Sequence, residues 1–169
     1  MLRKATKQDV NDILLIINEA IAYLKAQHID QWQNNYPNRQ SIINDINNGV
    51  SFVYECHDQV VGTMALILDK DVDYDIIENG QWLNDEPYLT IHRIAIKNEF
   101  KNSGVALNMM KQAFHYALQH HRYNIRIDTH PDNKAMRRFL EKQQFEYCGV
   151  VYINKIAKRL AYQKILKQQ

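Results

Sequence analysis

Cysteine is scarce in this sequence: two residues in 169, Cys56 and Cys148. Neither belongs to a C-x-x-C pair, and no histidine stands at ligand spacing from them. That argues against a disulfide-stapled scaffold and against a structural metal site. Both fall in strand-like segments and read as reduced, buried thiols. Missing too is any apolar run long enough to span a bilayer. The opening residues MLRKATKQDV carry no apolar core of a signal peptide. The expected location is therefore cytoplasmic, with no membrane partner. A surplus of one charge is also lacking, since 21 Lys and Arg against 19 Asp and Glu leave a net charge of +2. This is too small to argue for a nucleic-acid partner, despite the basic residues between Lys155 and Lys167. No segment repeats, none is low in complexity and none reads as a linker. What is there is the composition of one globular domain over residues 1–169, 46% hydrophobic and 24% charged. Such a chain can bury a substantial core.

Periodicity orders the chain. Leu2 to Ala5 is a short candidate strand. Thr6, with Asp9 three residues on, signals a helix start. The helix carries Val10, Ile13, Leu14, Ile17, Ala20, Ile21 and Leu24 on one face. A loop, QWQNNYPN, follows from Gln31 to Asn38. A second helix from about Arg39 to Asn48 buries Ile42, Ile43 and Ile46 and stops at Gly49, a good residue just past a helix end. Ser51 to Cys56 and Val60 to Leu68 read as antiparallel strands joined at His57-Asp58-Gln59. Asp69 to Glu86 is acidic and irregular, with room for one short helical turn. Segments of that kind often carry function, which predicts a mobile flap over a ligand. Asn124 to Thr129 is another strand. His130 to Asn133 is a turn, with Asp132 expected to cap a helix ending near Lys142. Phe145 to Ile153 and Ala157 to Ile165 close the chain as an antiparallel pair. The order β-α-α-β-β-β-α-β-α-β-β is an α/β (α+β) layer arrangement.

One stretch organises the rest, YLTIHRIAIKNEFKNSGVALNMMKQAFHYAL from Tyr88 to Leu118. Leu89 to Ile96 is β-branched and short enough for a buried strand. Lys97 to Ser103 is polar. From Gly104 on, Ala106, Met109, Met110, Ala113, Phe114 and Ala117 recur at helical spacing. A glycine at that junction lets a ligand approach the backbone closely. The first amides of the helix lack internal partners and, with the helix dipole, form an anion site suited to phosphate. The stretch fits neither a Walker loop nor a G-x-G-x-x-G fingerprint.

Lys101-Asn102-Ser103-Gly104-Val105-Ala106 resembles the pyrophosphate loop Q/R-x-x-G-x-G/A of the GNAT family, the Gcn5-related N-acetyltransferases. Lys101 replaces the usual Gln or Arg. Taken with the flanking strand and helix, the resemblance covers nearly the whole chain. It implies a mixed, mostly antiparallel central sheet of about seven strands flanked by about four helices. It implies acetyl-coenzyme A as co-substrate, with the amides of Asn102, Ser103, Gly104, Val105, Ala106 and Leu107 on the pyrophosphate. The backbone of Ile94, Ala95 and Ile96 would pair with the pantetheine arm as an added strand. Asn133 matches the family's N-x-x-A/G-x-x-x-Y segment, either as a coenzyme contact or as a helix cap. The Tyr of that segment falls on Leu140 and the Gly before Phe145 falls on Gln144, so the family's usual general acid is missing. No metal is implied.

For the chemistry, Thr90 and His92 lie two apart on an extended strand and should share a face, with Arg93 opposite as a structural partner. Some family members place a Glu or His here as base. His92 is therefore either the base, acting directly or through water held by Thr90, or a core histidine. Tyr147 and Tyr152 are the candidates to protonate a departing thiolate. Trp32, Tyr36, Tyr74 and Trp82 lie in the irregular stretches that would flank the acceptor, a primary amine of a small molecule or peptide. The expected function is N-acetyl transfer. The alternative is a non-catalytic coenzyme A-binding regulatory or sensor module. A homodimer is left open.

Overall fold

The computed structural model describes residues 1–167. Seven strands form one sheet in the order β1-β2-β3-β4-β5-β7-β6. They are β1 (Leu2–Lys4), β2 (Ser51–Cys56), β3 (Gln59–Ile67), β4 (Tyr88–Ile96), β5 (Asn124–Thr129), β6 (Glu146–Ile153) and β7 (Ala157–Ile165). Four α-helices accompany them: α1 (Val10–Ala26), α2 (Arg39–Asn47), α3 (Val105–Gln119) and α4 (Lys134–Lys142). The β1–β2, β2–β3, β5–β7 and β6–β7 ladders are antiparallel. The β4–β5 ladder is parallel: Tyr88 faces Asn124, Leu89 faces Ile125 and Thr90 faces Arg126. The expected fold class and element order are those of the structure. Contacts within the chain group it into two compact units, Met1–Leu66 with His92–His115, and Ile67–Ile91 with the chain from Tyr116 onward.

In the first unit, Val10, Ile13, Ile16 and Ile17 of α1 and Ile42 of α2 pack with Val53, Val60 and Ala95 of the strands. Asp9 sets the start of α1. Its carboxylate accepts from the Thr6 amide at 2.7 Å and the Thr6 hydroxyl at 3.0 Å. Arg3 grips the same carboxylate with two 2.8 Å bonds, and burial of Asp9 to 5% exposure makes that pair count. Asn38 caps α2 through the Ser41 amide, and the Ser41 hydroxyl returns the favour to the Asn38 amide. The β2–β3 turn uses left-handed His57 and Asp58, the pair of conformations that a tight hairpin needs. Met109 of α3 is fully buried against Gly62, where even a Cβ would strike its sulfur.

In the second unit, Tyr74, Tyr88, Val151 and Ala161 form the core, with Ile77, Trp82 and Ile153 against it. The α4 cap is Asn133 rather than the expected Asp132. Its side chain accepts from the Met136 amide at 3.2 Å, because the turn leaves Asn133 directly ahead of the first helical residue.

Candidate active site

Between β4 and α3 the chain makes a short 3₁₀ turn, Asn98–Phe100. It then passes through left-handed Asn102 (φ 62°) and Gly104 (φ 86°) into the helix. The helical ladder begins only when the Asn108 amide reaches the Gly104 carbonyl at 3.0 Å. The amides of Val105, Ala106 and Leu107 thus precede any intrahelical partner. A Cβ built on Gly104 would meet nothing within 4 Å, so the backbone there lies open to approach. Helix α1 steadies this loop. Glu19 accepts from the Asn98 amide at 2.7 Å, and the Lys101 ammonium rests 3.5 Å from the centre of the Tyr23 ring. Burial holds the Lys101 amine below the usual lysine pKa.

On β4, the Lys97 amide donates to Val61 at 2.9 Å. Strand alternation then turns the amides of Ile96 and Ile94 away from that bond, to the other edge of β4. Thr90 is fully buried, and its hydroxyl has no hydrogen-bond partner among the described residues. His92 is half-buried. Arg93 breaks the regular strand, since its φ of 53° is left-handed. Its guanidinium donates to Asp45 of α2 at 2.9 Å and to the Tyr36 hydroxyl at 2.7 Å. Its Nε also lies 2.8 Å from the second Asp45 oxygen, an ion-pair distance although that N–H is not aimed squarely at it. Burial raises the Asp45 carboxyl pKa, while the charges of Arg93 and His92 oppose the rise. His92 therefore lies within electrostatic reach of Asp45. Trp32 packs against the α1–α2 core, and Tyr36 is 45% exposed.

Two of the expected acceptor residues, Tyr74 and Trp82, lie in the second unit. Tyr74 is 1% exposed, and its hydroxyl donates to Asp128 at 2.7 Å. Burial beside that carboxylate pushes the phenol pKa well up. Trp82 packs tilted against Tyr74, with ring centres 5.2 Å apart, donates to the Tyr74 carbonyl at 2.9 Å, and holds the Arg126 guanidinium 4.2 Å from its ring. Tyr74 is thus interior packing for its own segment, with half-buried Trp82 against it. The acidic segment is tied down at several points. Asn84 bonds Asn124 at 3.0 Å, Glu78 bridges Val150, and the Asp71 amide reaches the Tyr88 hydroxyl at 3.0 Å. Leu140, where the family carries Tyr, is fully buried. Tyr147 is 52% exposed and edge-on to Tyr162, and Tyr152 is half-buried.

The arrangement is thus a helix N-terminus behind an open glycine, following strand β4. The sequence model of the acetyltransferase (GNAT) family matches residues 17–145. A GNAT-family acetyltransferase structure from Streptococcus agalactiae 2603 is 37% identical, covers 99% of this chain and 96% of its own, and superposes with a TM-score of 0.91. The chain belongs to the GNAT acetyltransferase family. A structure described as a putative acetyltransferase from Staphylococcus aureus Mu50 shares the fold at 24% identity and TM-score 0.73, covering 99% of each chain. So does ribosomal-protein-alanine N-acetyltransferase from Brucella melitensis, at 18% identity and TM-score 0.65, covering 98% of this chain and 99% of its own. Among curated proteins none matches the chain significantly. Membership makes the protein an acyltransferase by family. Among its described residues no helix is long and apolar enough to cross a membrane. The GNAT motif was legible in the loop. Asp45 was not, because its partner Arg93 lies 48 residues away in sequence.

Proposed function

We propose that the protein transfers the acetyl group of acetyl-coenzyme A to a primary amine of a small molecule or peptide. The observation that carries this reading is the Gly104 junction, where left-handed backbone, open space and helix-start amides coincide. The residues fit the coenzyme: the amides from Asn102 to Leu107, of which that of Ser103 also donates to the Phe100 carbonyl at 3.3 Å, would take its pyrophosphate, and Ile94, Ala95 and Ile96 would pair with its pantetheine arm. Asn133 is already engaged as a helix cap, and a coenzyme contact would be additional. When bound, acetyl-coenzyme A supplies an acyl group activated as a thioester.

His92 is assigned the proton of the incoming ammonium, because an alkylammonium with a pKa of about 10.4 must become neutral before it attacks. Thr90, a buried hydroxyl in want of a partner, is assigned a relay water. The Ile94 amide donates to the acyl oxygen as negative charge develops there. Tyr152 or Tyr147 protonates the departing thiolate. Trp32 and Tyr36 remain as acceptor contacts.

The test is thiol release from acetyl-coenzyme A with three amines: spermidine, a peptide with a free N-terminus, and Nα-acetyl-lysine amide. Turnover on at least one is expected. His92→Ala should lower kcat/KM by about a hundredfold near neutrality and recover much of it at high pH. Burial of Leu140 favours a second reading, a coenzyme A sensor, because no acid stands at the family's usual position. Coenzyme A binding with no turnover on any of the three would select it.

A further inference from the structure

Arg93 is a residue of unusual conformation whose side chain ties three elements together. Left-handed backbone is strained at a residue with a Cβ, and it persists only where the surroundings hold it. Here they hold it through the side chain. Two nitrogens of the guanidinium fork meet the two oxygens of Asp45 at 2.8 and 2.9 Å, and a third meets the Tyr36 hydroxyl at 2.7 Å. The ion pair is largely screened from water, with 16% and 18% side-chain exposure, so it is worth more than a surface pair. Asp45 belongs to α2, Tyr36 to the α1–α2 loop, and Arg93 to β4 next to His92 and Ile94.

The loop needs such a tie. Residues 27–38 contain no helix or strand, and Asn34, Asn35 and Tyr36 are exposed. Among the described residues no other hydrogen bond joins residues 34–36 to a strand. Buried Pro37 follows at once and lines, with Asp45 and Arg93, a small cavity between α1, α2 and the strands. The tip of the loop is thus registered against β4 by one guanidinium.

We infer that Asp45 and Arg93 are positioning residues that fix Tyr36 against β4 and so set recognition of the acceptor. This rests on the acetyl-transfer reading above. The coenzyme loop is held separately, by Glu19 and Tyr23. Loss of the clamp should therefore loosen the acceptor end of the site and leave the coenzyme end intact. Arg rather than Lys is required, because only a planar fork meets two carboxylate oxygens and a phenol at once.

Arg93→Gly is the decisive variant. Glycine keeps the left-handed backbone without strain and removes the clamp. With the best of the three acceptors named above, Arg93→Gly and Asp45→Asn should raise the acceptor KM tenfold or more. The KM for acetyl-coenzyme A should stay within twofold. Tyr36→Phe, which deletes one hydroxyl and is the least disruptive, should raise the acceptor KM about three- to tenfold and show no added effect on top of Arg93→Gly. Hydrogen exchange of residues 31–36 should quicken in Arg93→Gly, a readout that needs no turnover. A parent without turnover overturns the acetyl-transfer reading alone, and exchange then decides the clamp. An unchanged acceptor KM or unchanged loop exchange in folded Arg93→Gly overturns the clamp.

Discussion

Gly104 separates two reasons for a glycine, and substitution can tell them apart. One reason is the backbone: at φ 86° a residue with a Cβ is strained. The other is space: nothing lies within 4 Å of a Cβ built there, so a ligand could occupy the room. Asparagine and valine load these differently. Asn enters the left-handed region several times more readily than most residues, whereas a β-branched residue is an outlier there. Gly104→Val should lose about 1–2 kcal/mol of stability or more, and Gly104→Asn clearly less. Affinity should follow the Cβ instead. A charge-assisted hydrogen bond is worth about 1.5–3 kcal/mol, and a side chain displacing a phosphate from one amide forfeits that much. At about 1.4 kcal/mol per decade, both variants should bind coenzyme A at least tenfold more weakly than the parent. Titration calorimetry with coenzyme A gives the affinities and urea denaturation gives the stabilities. Gly104→Asn binding coenzyme A as the parent does would show that the glycine serves only the turn, and the phosphate assignment would fall with it.

Three further outcomes are expected. Leu140→Tyr restores the family's usual residue but forces a larger side chain into a fully buried place. It should cost about 1–3 kcal/mol in urea denaturation with no gain in kcat, and a raised kcat would contradict the burial. Gly80→Ala would drive a Cβ into the backbone carbonyl of Cys148, beside the Glu78–Val150 bridge, and should cost about 3 kcal/mol; a loss below about 1 kcal/mol would mean the segment yields freely. Asp9, hydrogen-bonded by Arg3, has its carboxyl pKa pulled from 3.8 down to about 2. A depressed folded pKa gives stability that is present above about pH 4 and disappears as pH falls toward 2. Arg3 is partly exposed, so solvent screening reduces the nominal gain to about 1 kcal/mol. Asp9→Asn should remove that acid-sensitive part, seen as a flatter urea midpoint between pH 5 and 2.5.

How much could be read in advance depended on whether the signal was local. The bounds of β5 and β7 and the end of α4 at Lys142 follow from alternation and helical spacing, and they match the sequence reading residue for residue. The loop at Gly104 was legible because a turn, a glycine and an amphipathic run are contiguous. Ile16 was not, since the stripe drawn on α1 passed through Leu14, while the packed surface is wide enough to bury Ile16 completely. The left-handed residue in β4 carries no glycine to announce it; it is held by Asp45 through space. Tyr74 and Trp82 looked like loop aromatics because what buries them, Asp128 and Arg126, lies more than 40 residues on. The same distance hid the anchoring of the acidic segment.

The chain has two tryptophans, and their settings differ in a way that an optical measurement can use. Trp82 carries a guanidinium 4.2 Å from its ring and a carbonyl on its indole nitrogen, so its emission is fixed by a charged, hydrogen-bonded interior. Trp32 sits in the α1–α2 loop, left-handed and half-covered by the α1–α2 core. Replacing Trp82 by Phe leaves one emitter in the loop that Arg93 restrains. Replacing Trp32 leaves one emitter in the core of the acidic segment. Each compact unit thus contains a single tryptophan, and with excitation selective for tryptophan over the ten tyrosines, ligand titrations or unfolding can be followed separately in each without an added label.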